Sequence, residues 1–219
     1  MRKLVIFGNG DIARLAKFYF ESDSNCEVVA FTVDKNYKQS DSFLDIPLVD
    51  FEIVEQYYSP KNFEIFIGAG YADYNRIRAA KYFAAKAKGY KIASYISSRC
   101  SYLSQYPAGE NAFILEDNTI QPYVRIGNNV MLWSGNHIGH DSVIKDHNFI
   151  SSHVVVSGHC VINEYCFLGV NATLHNNVEI GQNSLIAAGA VVSKSVESQS
   201  VYVPARSQKL EKSTSDIKI

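Results

Sequence analysis

The sequence lacks a long apolar run, an excess of charge of one sign and any closely spaced pair of cysteines. No stretch reaches the roughly 18 consecutive apolar residues of a membrane span, and Met1 to Lys3 lead into a strand pattern rather than a cleavable signal. The 21 basic and 22 acidic residues give a formal charge of −1, which argues against nucleic acid as a partner. These absences predict a soluble, cytoplasmic protein that binds neither nucleic acid nor a membrane.

Cysteine is scarce and scattered along the chain. The four cysteines, Cys26, Cys100, Cys160 and Cys166, form no CxxC pair and no tight zinc spacing. They therefore predict reduced thiols in a reducing compartment and exclude a small disulfide-stabilised scaffold. With 47% hydrophobic and 20% charged residues over 219 positions, the chain is suited to one large or two small folded domains.

A strict six-residue period dominates the second half of the chain. Every sixth residue from Ile114 to Val192 is isoleucine, leucine or valine, and no insertion breaks the frame. The position four residues further on is mostly small or modest in size, as at Cys160 and Ala172. A period of six fits neither an α-helix nor an ordinary strand. It resembles the hexapeptide repeat of left-handed parallel β-helices, in which three hexapeptides complete a triangular coil and the coils stack about 4.8 Å apart.

The first ninety-odd residues alternate strand and helix patterns instead. Strand patterns precede Gly8, Asp34 and Ala69, and a fourth covers residues 91–96, while helical patterns lie near residues 11–21, 50–58 and 73–88. Alternating strands and helices predict a small parallel α/β sheet.

Two glycine turns follow strands of this predicted sheet. The turn Gly8-Asn9-Gly10 suits a phosphate group, because glycines let the backbone approach and a helix N-terminus supplies free N–H donors. Asp34, after the second strand, is placed to accept a hydrogen bond from a ribose hydroxyl or a base edge. Gly68 opens a second turn at the same edge of the sheet, followed by Asn75 as a further candidate contact.

The number of residues limits the ligand that these turns can hold. A dinucleotide fold has two such halves, and only one is present, so a single nucleotide is favoured over NAD. The alternative is a tight strand-to-helix turn that binds nothing.

Five of the six histidines lie between residues 137 and 159. Metal ligands must converge on one point, and in an 18-residue coil the residues that stack are 18 apart. No histidine lies 18 residues from another, so the spacing predicts no metal site within a subunit and leaves an intersubunit site open.

His140 and Asp141 are the stronger candidates for catalysis. They fall near a corner of the predicted coil, where side chains point outward, and a histidine there can accept a proton near neutral pH while a carboxylate fixes its tautomer. Gly158 lies 18 residues further on, so we expect its backbone N–H about 5 Å away, free to hold a thioester carbonyl as it becomes an oxyanion. The alternative is a surface histidine on a polar corner.

These features together resemble the bacterial sugar acetyltransferases of PglD and NeuD type, over residues 1 to about 206. The resemblance rests on the following segments: Gly8-Asn9-Gly10, Asp34, Gly68, Asn75-Arg76, residues 136–141, Ser157-Gly158, residues 167–172 and residues 187–192. It implies an N-terminal Rossmann-like α/β domain followed by a left-handed parallel β-helix. The expected divisions are a nucleotide-sugar domain over residues 1–96, a junction over 97–113, the β-helix over 114–206 and a tail over 207–219.

The resemblance also implies roles for individual residues. His140 matches the catalytic base, Asp141 its acidic partner and Gly158 the amide that meets the acetyl carbonyl. Ala188 and Gly189 match the stretch along the pantetheine arm of acetyl-CoA, and Arg206 matches the terminus near the CoA adenosine. The residues implied to hold the nucleotide of a UDP- or dTDP-linked sugar are Gly8, Asn9, Gly10, Asp34, Gly68 and Asn75.

The implied enzyme is a homotrimer, with active sites in clefts between neighbouring β-helices and no metal. We therefore predict acetyl-CoA-dependent N-acetylation of a nucleotide-linked amino-dideoxy sugar by direct attack. The alternatives are O-acetylation of a sugar hydroxyl, a nucleotide-sugar-binding trimer without catalysis, and a zinc hydratase on the same fold. The chain departs from the family pattern at Asp11 and Phe149, where several relatives have histidine.

Overall fold

The structure is a computed structural model that describes residues 1–209 and residue 211. The rest of the predicted tail lies outside the described residues. The chain forms an N-terminal α/β domain packed against a C-terminal parallel β-helix.

The N-terminal domain is one six-stranded sheet flanked by helices. Its strands are β1 (Arg2–Phe7), β2 (Cys26–Val33), β3 (Ser42–Phe43), β4 (Ile46–Asp50), β5 (Glu64–Ile67) and β6 (Lys91–Ile92). Its α-helices are α1 (Asp11–Asp23), α2 (Val54–Tyr57) and α3 (Arg76–Ala87), with short 3-10 helices at Lys35–Tyr37 and Phe51–Ile53.

The strand order in this sheet is β3-β4-β2-β1-β5-β6, and only the β3–β4 pair is antiparallel. The chain winds outward from β1 to β2 and β4, then returns to the other side of β1 with β5. The order therefore reverses between β1 and β5, which is the point at which open parallel sheets bind ligands. Helix α1 packs on the sheet through Ala13, Ala16 and Phe20, whose spacing puts them on one helix face.

The β-helix consists of two-residue strands that recur along the chain. They are β7 (Tyr95–Ile96), β8 (Ser101–Tyr102), β9 (Phe113–Ile114), β10 (Thr119–Ile120), β11 (Arg125–Ile126), β12 (Met131–Leu132), β13 (His137–Ile138), β14 (Val143–Ile144), β15 (Phe149–Ile150), β16 (Val155–Val156), β17 (Val161–Ile162), β18 (Phe167–Leu168), β19 (Thr173–Leu174), β20 (Glu179–Ile180), β21 (Leu185–Ile186), β22 (Val191–Val192) and β23 (Val201–Tyr202). Strands β7 and β8 pair with β9 and β10, so the first rungs lie before residue 114, partly within the predicted junction.

Three parallel sheets form the walls of the β-helix, and every neighbour along a wall lies one coil away. His137 pairs with Val155, for example, and Phe149 with Phe167, a separation of 18 residues in both cases. The aliphatic residue of every hexapeptide from Ile114 to Val192 points inward and is at most 5% exposed. The predicted repeat therefore fills the prism, because coil-on-coil stacking buries each of these side chains.

The corners of the prism have their own period. From Asn111 to Gly189, every sixth residue has a positive φ, which the turn between two walls requires. His147, His153 and His159 occupy three of these positions, with φ of 63°, 58° and 58°. Asn, Asp and His tolerate this left-handed region better than most residues. The cluster of histidines is therefore largely a consequence of corner geometry.

The N-terminal domain packs against one wall, which we call the facing wall: the sheet of β7, β9, β12, β15, β18, β21 and β23. Aromatic side chains of this wall meet those of the N-terminal domain, as in the contacts of Phe113 with Tyr19 and Phe66. Phe149 lies here, 3% exposed and packed against Tyr71, so it is part of the domain interface.

No helix of residues 1–209 and 211 is both long and apolar enough to cross a membrane.

Candidate active site

A crevice of about 420 Å³ lies at the carboxyl ends of β1 and β5. Its lining includes the turn from Gly8 to Gly10, Asp34 and the turn from Gly68 to Gly70, as the sequence predicted, together with Tyr37 and Ile77. The crevice coincides with the reversal of strand order, where a phosphate can approach the N-terminus of α1.

Close packing of the two turns explains their glycines. Gly8 has a φ of +123°, and a Cβ on it would lie 2.8 Å from the backbone oxygen of Gly68. A Cβ on Gly68 would lie 3.0 Å from Cα of Ala13. A Cβ on Gly10 would meet no atom within 4 Å, so Gly10 borders the open space of the crevice.

Asp34 already has a partner in the crevice wall. Its Oδ1 accepts a hydrogen bond from Nζ of Lys81 at 2.5 Å, and Lys81 lies above the rings of Phe7 and Phe51. The second carboxylate oxygen remains available for a ligand. Lys81 could not be predicted from the sequence, because it lies in the middle of α3, 47 residues from Asp34.

Asn75 lies in the domain interface and does not line the crevice. It is fully buried, and its Nδ2 donates to the backbone oxygen of Cys166 at 3.1 Å. Asn75 is also the last of three consecutive residues with positive φ, after Asp73 and Tyr74. Its position favours an architectural role over contact with a nucleotide.

Arg78 joins the same interface and was missed by sequence reasoning. It is fully buried, and burial lowers the pKa of its guanidinium to about 9, so it stays charged at neutral pH. Its five hydrogen bonds reach Asn129 Oδ1 (3.1 Å), Asn129 O (3.1 Å), Asn148 O (3.0 Å), Gly70 O (2.9 Å) and Asn75 Oδ1 (2.9 Å). The side chain therefore ties the crevice turn at Gly70 to two coils of the β-helix.

His140 lies on a corner of the β-helix with its side chain 53% exposed. Its backbone N–H donates to Oε1 of Gln121 at 2.8 Å, and its Nδ1 lies 2.9 Å from Oδ2 of Asp141. With Nδ1–H donating to the carboxylate, Nε2 carries the free lone pair that a general base needs. The predicted pairing of His140 with Asp141 is thus present.

Gly158 lies directly against the His140 ring, one coil away. A Cβ on Gly158 would come within 2.7 Å of Nε2 of His140, so glycine is what leaves room for the imidazole. The expectation of a free N–H at Gly158 is wrong for this structure, because that N–H donates to Oδ1 of Asn176 at 2.9 Å. The acceptor, Asn176, lies one coil beyond Gly158, so the 18-residue spacing from His140 to Gly158 does not reveal it.

Replacing Gly158 with alanine is expected to lower kcat for the acetyl transfer that the sequence predicts by about 100-fold, because the new methyl group would displace the imidazole from its position. The thermal midpoint should change little, since the atoms in the way belong to an exposed side chain. Thiol release from acetyl-CoA and circular dichroism measure the two effects. Ser157→Ala, at the neighbouring position, is the control, and a Gly158→Ala variant as active as this control would contradict the close contact.

His159 approaches His140 although the two are 19 residues apart. Their ring centroids are 4.9 Å apart in an edge-to-face arrangement, and the backbone N–H of His159 donates to the oxygen of His140 at 2.9 Å. The expectation that only residues 18 apart stack applies to the walls and not to the corners. At a corner, a residue with a left-handed backbone conformation, such as His159, turns its side chain back toward the preceding coil.

The residues that the family resemblance assigns to CoA binding lie at the C-terminal end of the β-helix. Ala188 and Gly189 are exposed in a corner turn, where Gly189 has a φ of +73°, and Arg206 is exposed in the segment after β23. All three are accessible to a ligand from outside.

Within one chain, His140 and the crevice lie on different sides of the β-helix. His140 occupies the corner between the two walls that contain β13 and β14, whereas the N-terminal domain packs on the facing wall. The prism therefore separates His140 from the crevice turns.

Comparison with known proteins supports the assignment of the fold. Residues 123–158 and 159–194 match the family model "Bacterial transferase hexapeptide (six repeats)". The matched residues include the strands of the β-helix from β11 to β22. No curated protein matches the sequence.

Several solved structures have the same fold across both domains. The acetyltransferase domain of PglB from Neisseria gonorrhoeae is 20% identical, with a TM-score of 0.79 and coverage of 92% of this chain and 96% of that one. A variant of perosamine N-acetyltransferase from Caulobacter crescentus, in complex with CoA and GDP-perosamine, is 19% identical, with a TM-score of 0.78 and coverage of 92% and 93%. WeeI from Acinetobacter baumannii is 17% identical, with a TM-score of 0.76 and coverage of 92% and 96%.

These findings confirm the predicted fold class, an α/β domain followed by a hexapeptide β-helix, and the predicted resemblance to sugar acetyltransferases of this fold.

Proposed function

We propose that this hexapeptide-repeat protein is an acetyl-CoA-dependent N-acetyltransferase whose acceptor is a nucleotide-linked amino sugar. The observation that carries the proposal is the pair on the β-helix corner, in which Asp141 engages Nδ1 of His140 and leaves Nε2 exposed beside Gly158. The crevice at the end of β1 supplies a separate site for a nucleotide. The structural likeness over 92% of the chain to a perosamine N-acetyltransferase with CoA and GDP-perosamine bound supports the same pairing of substrates.

In the proposed reaction the neutral amine of the sugar attacks the thioester carbonyl directly. Nε2 of His140 accepts a proton from the amine as the carbon–nitrogen bond forms, and the Asp141 carboxylate stabilises the resulting imidazolium. The carbon–sulfur bond of the tetrahedral intermediate then breaks, and the departing CoA thiolate takes the proton from His140. The products are the acetamido sugar and CoA.

Two cysteines of the prism do not favour a covalent acetyl-enzyme. Cys160 and Cys166 are fully buried inside the prism. Burial raises the pKa of the Cys166 thiol to about 11 and also raises the pKa of Cys160. Since the thiolate is the reactive form, both side chains are poor nucleophiles at neutral pH.

Stabilisation of the oxyanion needs one local rearrangement. For the N–H of Gly158 to meet the acetyl carbonyl, the side chain of Asn176 must turn away from it. Asn176 is exposed, so its rotation costs little packing. We propose that binding of acetyl-CoA displaces this amide and releases the Gly158 N–H.

A complete active site requires a second copy of the chain in this proposal. The crevice and His140 are separated by the prism within one subunit, so the sugar amine would reach His140 from a nucleotide held by a neighbour. A trimer, with clefts between neighbouring β-helices, meets this requirement. The cleft would also admit acetyl-CoA along Ala188 and Gly189, with Arg206 near its phosphates.

Replacing Asp34 with asparagine is expected to raise the KM for the nucleotide sugar about tenfold and to leave kcat nearly unchanged. The substitution removes a charged hydrogen-bond acceptor from the crevice, and a hydrogen bond to a charged group contributes about 1.5–3 kcal/mol. Initial rates over a range of nucleotide-sugar concentrations separate the two constants. Asp41→Asn, in an exposed loop outside this crevice, serves as the control, and an unchanged KM for Asp34→Asn would remove Asp34 from the binding site.

The proposed activity is tested with a panel of UDP-, dTDP- and GDP-linked amino sugars and their hydroxyl analogues, each incubated with acetyl-CoA and a thiol reagent. CoA release with an amino sugar, together with an acetamido product by mass spectrometry, is the expected result. Turnover of the hydroxyl analogues alone would favour O-acetylation. Binding of a nucleotide sugar without thiol release from any member of the panel would favour a non-catalytic trimer.

A further inference from the structure

Three potential metal ligands surround the proposed base. His140, Asp141 and His159 each offer one donor atom, and these three atoms lie within 4.8 Å of one another. The shortest separation is the 2.9 Å between Nδ1 of His140 and Oδ2 of Asp141. A tetrahedral zinc ion with bonds of about 2.0–2.1 Å places its ligands about 3.3 Å apart, so small side-chain rotations bring the set to that geometry.

Hydrogen bonds connect the backbone turns that carry these ligands. The N–H of His159 donates to the oxygen of His140 at 2.9 Å, and the N–H of His140 is held by Gln121. Asp141 and His159 both occupy left-handed corners, whose turn conformation is repeated along the whole prism. Two adjacent coils therefore bring the backbones of all three residues close together before any ion arrives.

The chemistry of this set selects a transition metal over a hard cation. Imidazole nitrogens favour Zn²⁺ and its neighbours, whereas Mg²⁺ prefers oxygen ligands. All three side chains are exposed, so a hydrated ion can reach them and retain a water molecule as its fourth ligand.

We propose that His140, Asp141 and His159 form a binding site for a divalent transition-metal ion, typified by Zn²⁺, and that the ion inhibits acetyl transfer. The inhibitory part rests on the proposed function. An ion at Nε2 of His140 occupies the lone pair that accepts the proton, and an ion at Nδ1 replaces the contact with Asp141. Either mode removes the base, so the site acts as a reversible block on catalysis.

The test uses the metal-free full-length protein and a chromophoric zinc indicator in competition. Wild-type protein is expected to bind one Zn²⁺ per chain, and His159→Asn to bind at least about tenfold more weakly. Asparagine suits the corner conformation, as Asn171 and Asn177 do in later coils, so this variant removes a ligand without disturbing the turn. His153→Asn is the matched control, because it makes the same change at an exposed corner outside the cluster and should bind as the wild type does.

Activity measurements with and without metal then test the inhibition. Each variant is compared with its own metal-free rate, and the zinc concentration for half inhibition should rise at least about tenfold in His159→Asn. Mg²⁺ at the same concentrations should leave the rate unchanged. Equal zinc affinity in wild type and His159→Asn would refute the proposed metal site. Full activity at saturating zinc would refute the proposed inhibition. If the metal-free protein acetylates no amino sugar, the proposed function is contradicted. The zinc affinities of wild type and His159→Asn still decide whether the metal site exists.

Discussion

Replacing His140 with alanine is expected to lower kcat for acetyl transfer by about 10²- to 10⁴-fold, the range that general-base catalysis contributes. The side chain is 53% exposed and its ring lies against Gly158 and the exposed ring of His159, so the fold should persist. Thiol release at saturating concentrations of both substrates measures the loss. Because the remaining contacts to both substrates are intact, their KM values should change much less than kcat.

The matched control for His140 is His153→Asn, which alters another exposed histidine of the β-helix at a distance from the pair. It should retain wild-type turnover. A His140→Ala variant with wild-type turnover would remove the proposed mechanism, because no other histidine makes the Nδ1–carboxylate contact among residues 1–209 and 211. Such a result would leave the conclusion about the fold unchanged.

Replacing Arg78 with methionine is expected to lower the free energy of unfolding by about 3–5 kcal/mol. Methionine has a similar length but no donors, so five acceptors would lose their partner. Four of them are buried, including both oxygens of Asn129 and the carbonyl of Asn148. Urea unfolding followed by circular dichroism measures the change. Arg78→Lys, which keeps the charge but not the planar set of donors, should fall between methionine and the wild type.

The neighbouring Arg76 provides the control for this experiment. Arg76 lies on the same helix and also bonds to the β-helix, through Asn183, but its side chain is half exposed. Arg76→Met should therefore change the free energy of unfolding by about 0.5 kcal/mol or less. Equal effects at the two positions would show that the buried network does not couple the domains.

The repeat was the most predictable feature of this protein. Each hexapeptide buries its aliphatic residue inside the prism, so these inward positions from Ile114 to Val192 could be identified from spacing alone. The crevice was predictable for a similar local reason. The glycines at positions 8 and 68 are required by the path of the backbone next to each strand, and parallel strands bring their carboxyl ends to one edge.

The candidate catalytic corner could be predicted only in part. His140 and Asp141 are adjacent in sequence, so their contact could be predicted from the sequence. The partner of the Gly158 N–H was not, because Asn176 comes from the next coil and its side-chain direction depends on the corner. The approach of His159 to His140 was missed for the same reason, since the repeat length describes the walls and the turns follow a different geometry.

The two-domain architecture, the inward face of the prism and the two turns of the crevice can be predicted from the sequence, because each depends on periodicity or on local backbone conformation. How the domains join and which groups surround His140 are visible only in the folded molecule. Arg78 and Asn75 became interface residues only when α3 packed against the corners of the β-helix, a contact between segments about 50 to 90 residues apart. Such contacts depend on the packing of whole elements, and no local pattern encodes them.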